Sequence, residues 1–353
     1  MWGVADLPRT TYERWRHALK PDSWSKLVVP TYLGQAIGAA HLGRLDLAPA
    51  FAGMVFTYLT LTFIVLMNDV SDREVDAIKR RMFPRGGSPK TIPDGILPAS
   101  RLLLVGLAAG VGAVGFAYFA EGWLNRPGLG LGGLIALGLF VAYSLPPLRL
   151  NYRGGGELLE MLGVGFALPW INAYMQGGLG SETLLWLPRA WPVLVGSSLL
   201  ALASAVASGL GDEVSDRKGG KRTFTTMLGN PMARRLTEAL VALGALAWIL
   251  AGLFAEHVPL VVVLLPIAIL AYRLRGMIAL STSAVTNAFA TQAVYKAHLH
   301  RGLGRSTEVL AFSLLLHRLF LDHGDGNTHQ GRIIYVRRRR HFFCGRRSSL
   351  FFC

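Results

Sequence analysis

The sequence predicts an all-α fold, a polytopic membrane helical bundle of about nine transmembrane helices. Three observations carry that prediction. Of the 353 residues, 52% are hydrophobic and only 16% are charged, a balance too apolar for a soluble domain of this length. Apolar windows near the roughly 20 residues that cross a bilayer recur along the chain. Lysine and arginine crowd into alternate connections, the pattern that sets orientation in a membrane.

In chain order, residues 1–24 form a polar N-terminal segment, "MWGVADLPRTTYERWRHALKPDSW". It lacks the basic start, apolar centre and small-residue cleavage site of a secretory signal, so no processing is expected. The transmembrane domain is expected over 25–321, with windows at 26–43, 49–67, 101–120, 128–145, 157–176, 191–210, 236–255 and 258–274 and a weaker ninth at 306–321. Backbone amides cannot stay unpaired in lipid, so each window should be a helix, and the Gly and Ala content suits close packing. Between the last two windows, 276–300 is expected to be an amphipathic or re-entrant helix, with His298 and His300 as cytoplasmic-loop residues rather than ligands. The final segment, 322–353, is basic, lacks a helical period and is expected to be disordered.

Arg73, Lys79, Arg80, Arg81, Arg85 and Lys90 follow the second window; Arg217, Lys218, Lys221, Arg222, Arg234 and Arg235 follow the sixth. The odd-numbered connections hold only isolated arginines, Arg44, Arg126 and Arg189. These basic connections and the N-terminus are therefore expected on the cytoplasmic side, in the plasma (inner) membrane. The net charge of +15 fits loop topology and anionic headgroups, and no groove-reading motif points to nucleic acid. Both cysteines, Cys344 and Cys353, lie in the final segment, which excludes a disulfide framework and a Cys-rich metal site.

Two acidic stretches carry the chemistry: "NDVSDREVD", 68–76, and "DEVSDRKGGKR", 212–222. Asn68, Asp72 and Asp76 are spaced by fours, so continuing the second span as helix stacks them on one face. Asp212 and Asp216 repeat the register at the end of the sixth span. Carboxylates at a C-terminal helix end oppose the helix dipole, repel one another and are expensive near a membrane. Capping and pairing with nearby Arg and Lys would account for one such cluster; two matched clusters point instead to cations. An oxygen-only donor set favours a hard ion, and Mg²⁺ typically takes one or two carboxylates plus phosphate oxygens.

These motifs resemble the UbiA superfamily of intramembrane prenyltransferases. "NDVSDREVD" is similar to its first Asp-rich signature and "DEVSDRKGGKRT" to its second; "AYSLPPLRLNYRGGGELLE" and "KTIPDG" resemble two further elements. The resemblance implies a nine-helix bundle with a cytoplasm-facing cavity, two Mg²⁺, and transfer of a polyprenyl group from its diphosphate to a small aromatic acceptor. Within the superfamily the motifs look most like the menaquinone branch, which uses 1,4-dihydroxy-2-naphthoate. Two features depart from the pattern: the linker "KRRMFPRGGSPKTIPDG" is long, and Gly220 replaces the third acid of the second signature.

On this reading Asn68, Asp72 and Asp76 hold one Mg²⁺ and Asp212 and Asp216 the other, with Asp69 and Glu213 in support. Tyr143, Tyr152 and Tyr174 are candidates to face an allylic cation. Arg73, Lys90, Arg149, Arg153, Lys221 and Arg222 are candidates for contacts with the diphosphate or an acceptor anion. Other acceptors (4-hydroxybenzoate, a chlorin, haem or a glycerol phosphate lipid) remain alternatives, as does a transporter with acidic ion sites. A membrane phosphoalcohol transferase would begin its motif with Asp-Gly-x-x-Ala-Arg, which is missing.

Overall fold

The computed structural model describes residues 7–84, 89–178, 187–255, 258–284 and 289–317; the side chains of 187–191 and 289 are not described. A short helix, α1 (Thr11–Leu19), precedes the bundle. Its first turn is closed by a capping box in which the Thr10 hydroxyl accepts from the Glu13 backbone N–H while Glu13 reaches back to Thr10. The bundle then comprises α2 (Ser25–Leu42), α3 (Leu47–Met82), α4 (Ala99–Leu124), α5 (Leu129–Ser144), α6 (Gly156–Gly177), α7 (Leu187–Ser208), two short helices α8 (Glu213–Lys218) and α9 (Phe224–Leu228), and α10 (Asn230–Phe254), α11 (Leu260–Ser281) and α12 (Phe289–Leu316).

Among the described residues each of the apolar windows falls on a helix, and six of these helices are long and apolar enough to cross a membrane. The chain is an integral membrane protein. Long helices pack on their successors, α12 returns to α2, and α2 packs on α6 across the interior. Small residues permit that contact. A Cβ on Gly38 would sit 2.5 Å from the Ala173 carbonyl, and one on Gly165 2.5 Å from Ser198 Cα on α7. The lipid-facing surface is apolar, with Leu104, Val111, Val261 and Leu265 all exposed.

The segment 276–300 is not a separate helix. Its first residues finish α11 and its last begin α12, which runs unbroken through His298 and His300 into the ninth window. Those two histidines are therefore in a helix and not in a loop. The expected tail, 322–353, lies outside the described residues.

Candidate active site

The first acidic stretch stays helical because nothing in it breaks α3. The helix runs 36 residues, well beyond the membrane, and ends with Lys79, Arg80 and Arg81 in its last turn, where cations suit the dipole. The second stretch behaves differently. A 3₁₀ turn at Gly209–Gly211 stops the sixth span, and Asp212 becomes the N-cap of α8. Gly209 lies against Thr225, where a Cβ would meet Oγ1 at 2.9 Å. The two clusters are thus matched in sequence and not in local structure, and Asp212 sits at the helix end that favours a carboxylate.

Lysines lace the clusters together. Lys221, from the loop after α8, donates to Asp72 Oδ2 at 2.9 Å. Lys79, from the end of α3, reaches the other way to pair with Asp212. Lys90 pairs with Asp76 at 2.5 Å. Gly220, at φ +71°, supplies the left-handed turn that brings Lys221 back, so the missing third acid is a backbone requirement. The Lys221 backbone N–H also closes on the Asp216 carbonyl at 2.8 Å.

The electrostatics follow. Burial pushes Asp216 up to about 7, opposed by Lys221 and reinforced by Asp212 and Asp72. Loss of hydration also acts on Asp212, but Lys79, Lys296 and Lys90 outweigh it and hold the carboxyl down at about 2. Burial works against the charge on Lys221, yet Asp72 and Asp216 keep its ammonium above the usual lysine range.

The structure does not bring every expected residue to this centre. Asp69 is 4% exposed and consumed by a pair with Lys20 and a 2.7 Å hydrogen bond from Thr91, so it anchors α1 and the 91–97 turn instead of supporting a metal. Glu213 pairs with Arg217 on its own helix. Arg73 is 53% exposed, with its guanidinium 4.0 Å from Glu74. Arg149 donates to the Ser71 carbonyl at 2.5 Å and lies 3.7 Å over the Tyr152 ring. Tyr152 does reach the centre, with Lys221 Nζ 5.3 Å from its ring and Asp72 as a neighbour, but its ring is covered by Arg149. Arg153 and Arg222 are exposed and joined by a parallel backbone bridge at the rim. Tyr174 donates to Pro127 O at 2.6 Å near Arg126 and Glu121, at the far end of the bundle.

Asn68 and Tyr143 share a cavity of about 250 Å³ with Leu27, Leu61, Ile64 and Phe140. Three contributors escaped the sequence reading. Lys79 lies seven residues after Asp72, hence on the same helix face, and that spacing was a usable signal. Asp94 ties Arg80 (3.0 Å) to the Lys90 backbone (2.7 Å) and so positions Lys90. Glu160 lines the same cavity as Asn68, with no motif to announce it.

Mg²⁺ fits this donor set in one way. Among the described residues no three acidic or histidine side chains converge to cage an ion, and Asn68 and Asp76 are about 12 Å apart along the axis. Asn68, Asp72 and Asp76 therefore cannot all ligate a single ion directly, as the sequence had suggested. Asp72 Oδ1, however, is buried without a hydrogen-bond partner, an oxygen left for a ligand. One or two carboxylates per ion, completed by diphosphate oxygens, matches the preference of Mg²⁺.

Comparison with known proteins is consistent with this arrangement. The model of the UbiA prenyltransferase family matches residues 27–295. A lycopene elongase/hydratase of Haloferax volcanii is 28% identical over 236 residues, covering 65% of this chain and 69% of that protein. A 2-carboxy-1,4-naphthoquinone phytyltransferase of Synechocystis is 25% identical over 245 residues, covering 66% and 72%. A UbiA homologue of Archaeoglobus fulgidus, solved with GPP and Mg²⁺, superposes with a TM-score of 0.62 at 17% identity, over 84% of this chain and 99% of the other.

Proposed function

The chain belongs to the UbiA prenyltransferase family, and from that premise we propose that it moves a polyprenyl group from its diphosphate to a small aromatic acceptor in a Mg²⁺-dependent reaction. The observation that carries this reading is the crossed pairing of the two acidic clusters by Lys79 and Lys221, with Lys90 on Asp76, near a cavity that sets Leu27, Leu61, Ile64 and Phe140 against Lys20, Lys26 and Glu160. Asp72 with Asn68 or Asp76, and Asp212 with Asp216, would hold the two ions expected. Bound Mg²⁺ supplies Lewis-acid stabilisation of the charge that builds on the departing diphosphate.

The chain's residues do the rest. Lys79, Lys90 and Lys221 are cations already gathered at the acidic centre, and each has a carboxylate it can exchange for a phosphate oxygen. Leu27, Leu61, Ile64 and Phe140 surround the prenyl chain and keep water from the allylic carbon as its C–O bond opens. The Tyr143 ring, in the same cavity, is placed to face the positive charge. The Lys and Arg bias of the connections favours a site on the cytoplasmic side of the membrane, which on this reading is the plasma membrane. The naphthoquinone phytyltransferase likeness favours a naphthoate such as 1,4-dihydroxy-2-naphthoate. A second reading, an isoprenoid olefin as acceptor, is favoured by the lycopene elongase likeness.

Thermal unfolding tests the binding half directly. Mg²⁺ and geranyl diphosphate together should raise the melting temperature of the detergent-solubilised protein well above either alone. Asp72→Asn should remove that response. A response that is absent in the parent, or intact in the variant, would count against the reading.

A further inference from the structure

Three cavities meet at one lysine. A basic vestibule beneath α1 is lined by Arg9, Arg16, His17 and Lys20. The cavity that holds Asn68 and Tyr143 has Leu27, Leu61, Ile64 and Phe140 in its wall. A third pocket lies inside the bundle, between α2, α6, α7 and α12, and carries Ser204, Thr307 and His300. Lys26 lines all three. Glu160 lines the second and third, and His300 the first and third.

We propose that the inner pocket is the acceptor subsite: Lys26 pairs with the carboxylate of a small hydroxylated aromatic acid, and Glu160 takes the proton that the ring loses. This rests on the prenyl-transfer reading and names the half of the reaction that the acidic clusters leave open.

Glu160 is the first argument. It stands on a membrane-spanning helix, where an ionisable group is costly and marks function by default. No hydrogen bond or ion pair engages its carboxylate among the described residues, and the nearby positive charge acting on it is Lys26. The residue directly precedes a π-helical stretch, Met161–Ala167, an irregularity frequent at functional sites. That stretch contributes Val164 and Gly165 to the pocket wall.

Charge is the second argument. The vestibule gathers Arg9, Arg16 and Lys26 against Asp22 once the charges already spent are set aside, Glu13 on the α1 cap and Lys20 in its pair with Asp69. Such a funnel selects an anion. Lys26 waits at its inner end, held by a 3.2 Å hydrogen bond to Ser208, whose own hydroxyl donates to the Ser204 carbonyl at 2.9 Å. His300 Nδ1 lies 3.4 Å from Ser204 Oγ, giving the pocket a second polar wall. An anion drawn to Lys26 places its ring across Glu160, at the edge of the cavity that holds Asn68 and Tyr143.

The chemistry closes without an oxidant or reductant. The allylic C–O bond breaks and its electron pair leaves with the diphosphate. A ring carbon activated by the hydroxyl forms the new C–C bond. The hydrogen on that carbon departs as a proton to Glu160, the ring regains its aromaticity, and the proton passes to the vestibule. General-base help of this kind is worth about 10²–10⁴-fold.

The test uses the full chain in detergent with Mg²⁺ and two stable probes, 1-hydroxy-2-naphthoate and 1-naphthol, which lacks the carboxylate. Binding is read by quenching of probe emission, transfer with radiolabelled geranyl diphosphate, and folding by the melting shift with Mg²⁺ and a geranyl thiodiphosphate. The parent should bind the carboxylated probe at least about tenfold more tightly than 1-naphthol, and Lys26→Gln should reduce that preference below about twofold, with Lys26→Arg restoring it. Glu160→Gln should keep the donor-induced shift and both binding constants while slowing transfer by about 100-fold or more. Preference retained in Lys26→Gln, or transfer by Glu160→Gln within about threefold of the parent, overturns the assignment. If the parent itself shows neither donor shift nor transfer, the prenyl-transfer reading fails and takes the subsite with it.

Discussion

Replacing Lys221 with methionine asks whether the crossed lysines hold the acidic centre together. In the parent, Lys221 Nζ lies 2.9 Å from Asp72 Oδ2, with the two side chains 10% and 14% exposed. Methionine keeps most of the stem and removes the charge. Asp72, whose Oδ1 already lacks a partner, and Asp216, which is 4% exposed, are then left without the cation between them. Stranding one member of a buried pair costs about 3–5 kcal/mol. At a few degrees per kcal/mol, the melting temperature in EDTA should fall by on the order of 10 °C. Adding Asp72→Asn removes the stranded charge, so the double variant should recover about half of the loss, a coupling of roughly 2 kcal/mol. Tryptophan fluorescence during heating of the detergent-solubilised protein reads all four corners of the cycle. If Lys221→Met melts within about 2 °C of the parent, or if the two substitutions simply add, the lysine does not stabilise the cluster as argued.

Three further outcomes follow from the geometry. Asp216 is pushed from 3.8 up to about 7, so the folded chain keeps that proton to higher pH than the unfolded one; its burial costs nothing below about pH 4 and progressively more toward pH 7. Asp216→Asn should therefore raise the melting temperature in EDTA more at about pH 8 than at about pH 5, and an equal effect at both would contradict the assignment. Tyr143→Phe should leave transfer nearly unchanged while Tyr143→Leu slows it by about 3- to 30-fold in kcat, the worth of a cation–π contact; equal rates in steady-state assays would remove the ring from the mechanism. Gly165→Val should destabilise the fold, because its Cβ would sit 2.5 Å from Ser198 Cα on α7, and normal yield with normal melting would show that α6 and α7 can separate there.

Much of the architecture was legible because a bilayer permits few solutions. The apolar windows had to become helices, and within the described residues they did, six of those helices being long and apolar enough to cross a membrane. Boundaries were harder where hydropathy carries no signal. The polar run around His298 and His300 reads as loop or amphipathic helix, yet it continues α12, because its polar side chains find buried partners; Gln292 is 2% exposed and Tyr295 is fully buried. The second acidic stretch reads as a continuation of its span, and the packing of Gly209 on Thr225 breaks it instead. At the site, residue type and helical spacing brought Asp72, Asp76, Asp212 and Asp216 into consideration, and the structure places lysines between them. Asp69 shares the first motif and still turns away, since Lys20 and Thr91 claim it from separations of 49 and 22 residues. Glu160 and Lys26 gain their meaning only from cavities that join α2 to α6, a juxtaposition no local pattern encodes.

The most direct measurement is prenyl transfer by the purified chain from a radiolabelled polyprenyl diphosphate to 1,4-dihydroxy-2-naphthoate and 4-hydroxybenzoate, with Mg²⁺ and with EDTA. A lipid-extractable product with one aromatic acceptor should form with Mg²⁺ and be abolished by EDTA. Folded protein that gives neither product nor Mg²⁺-dependent release of diphosphate would contradict the prenyl-transfer reading.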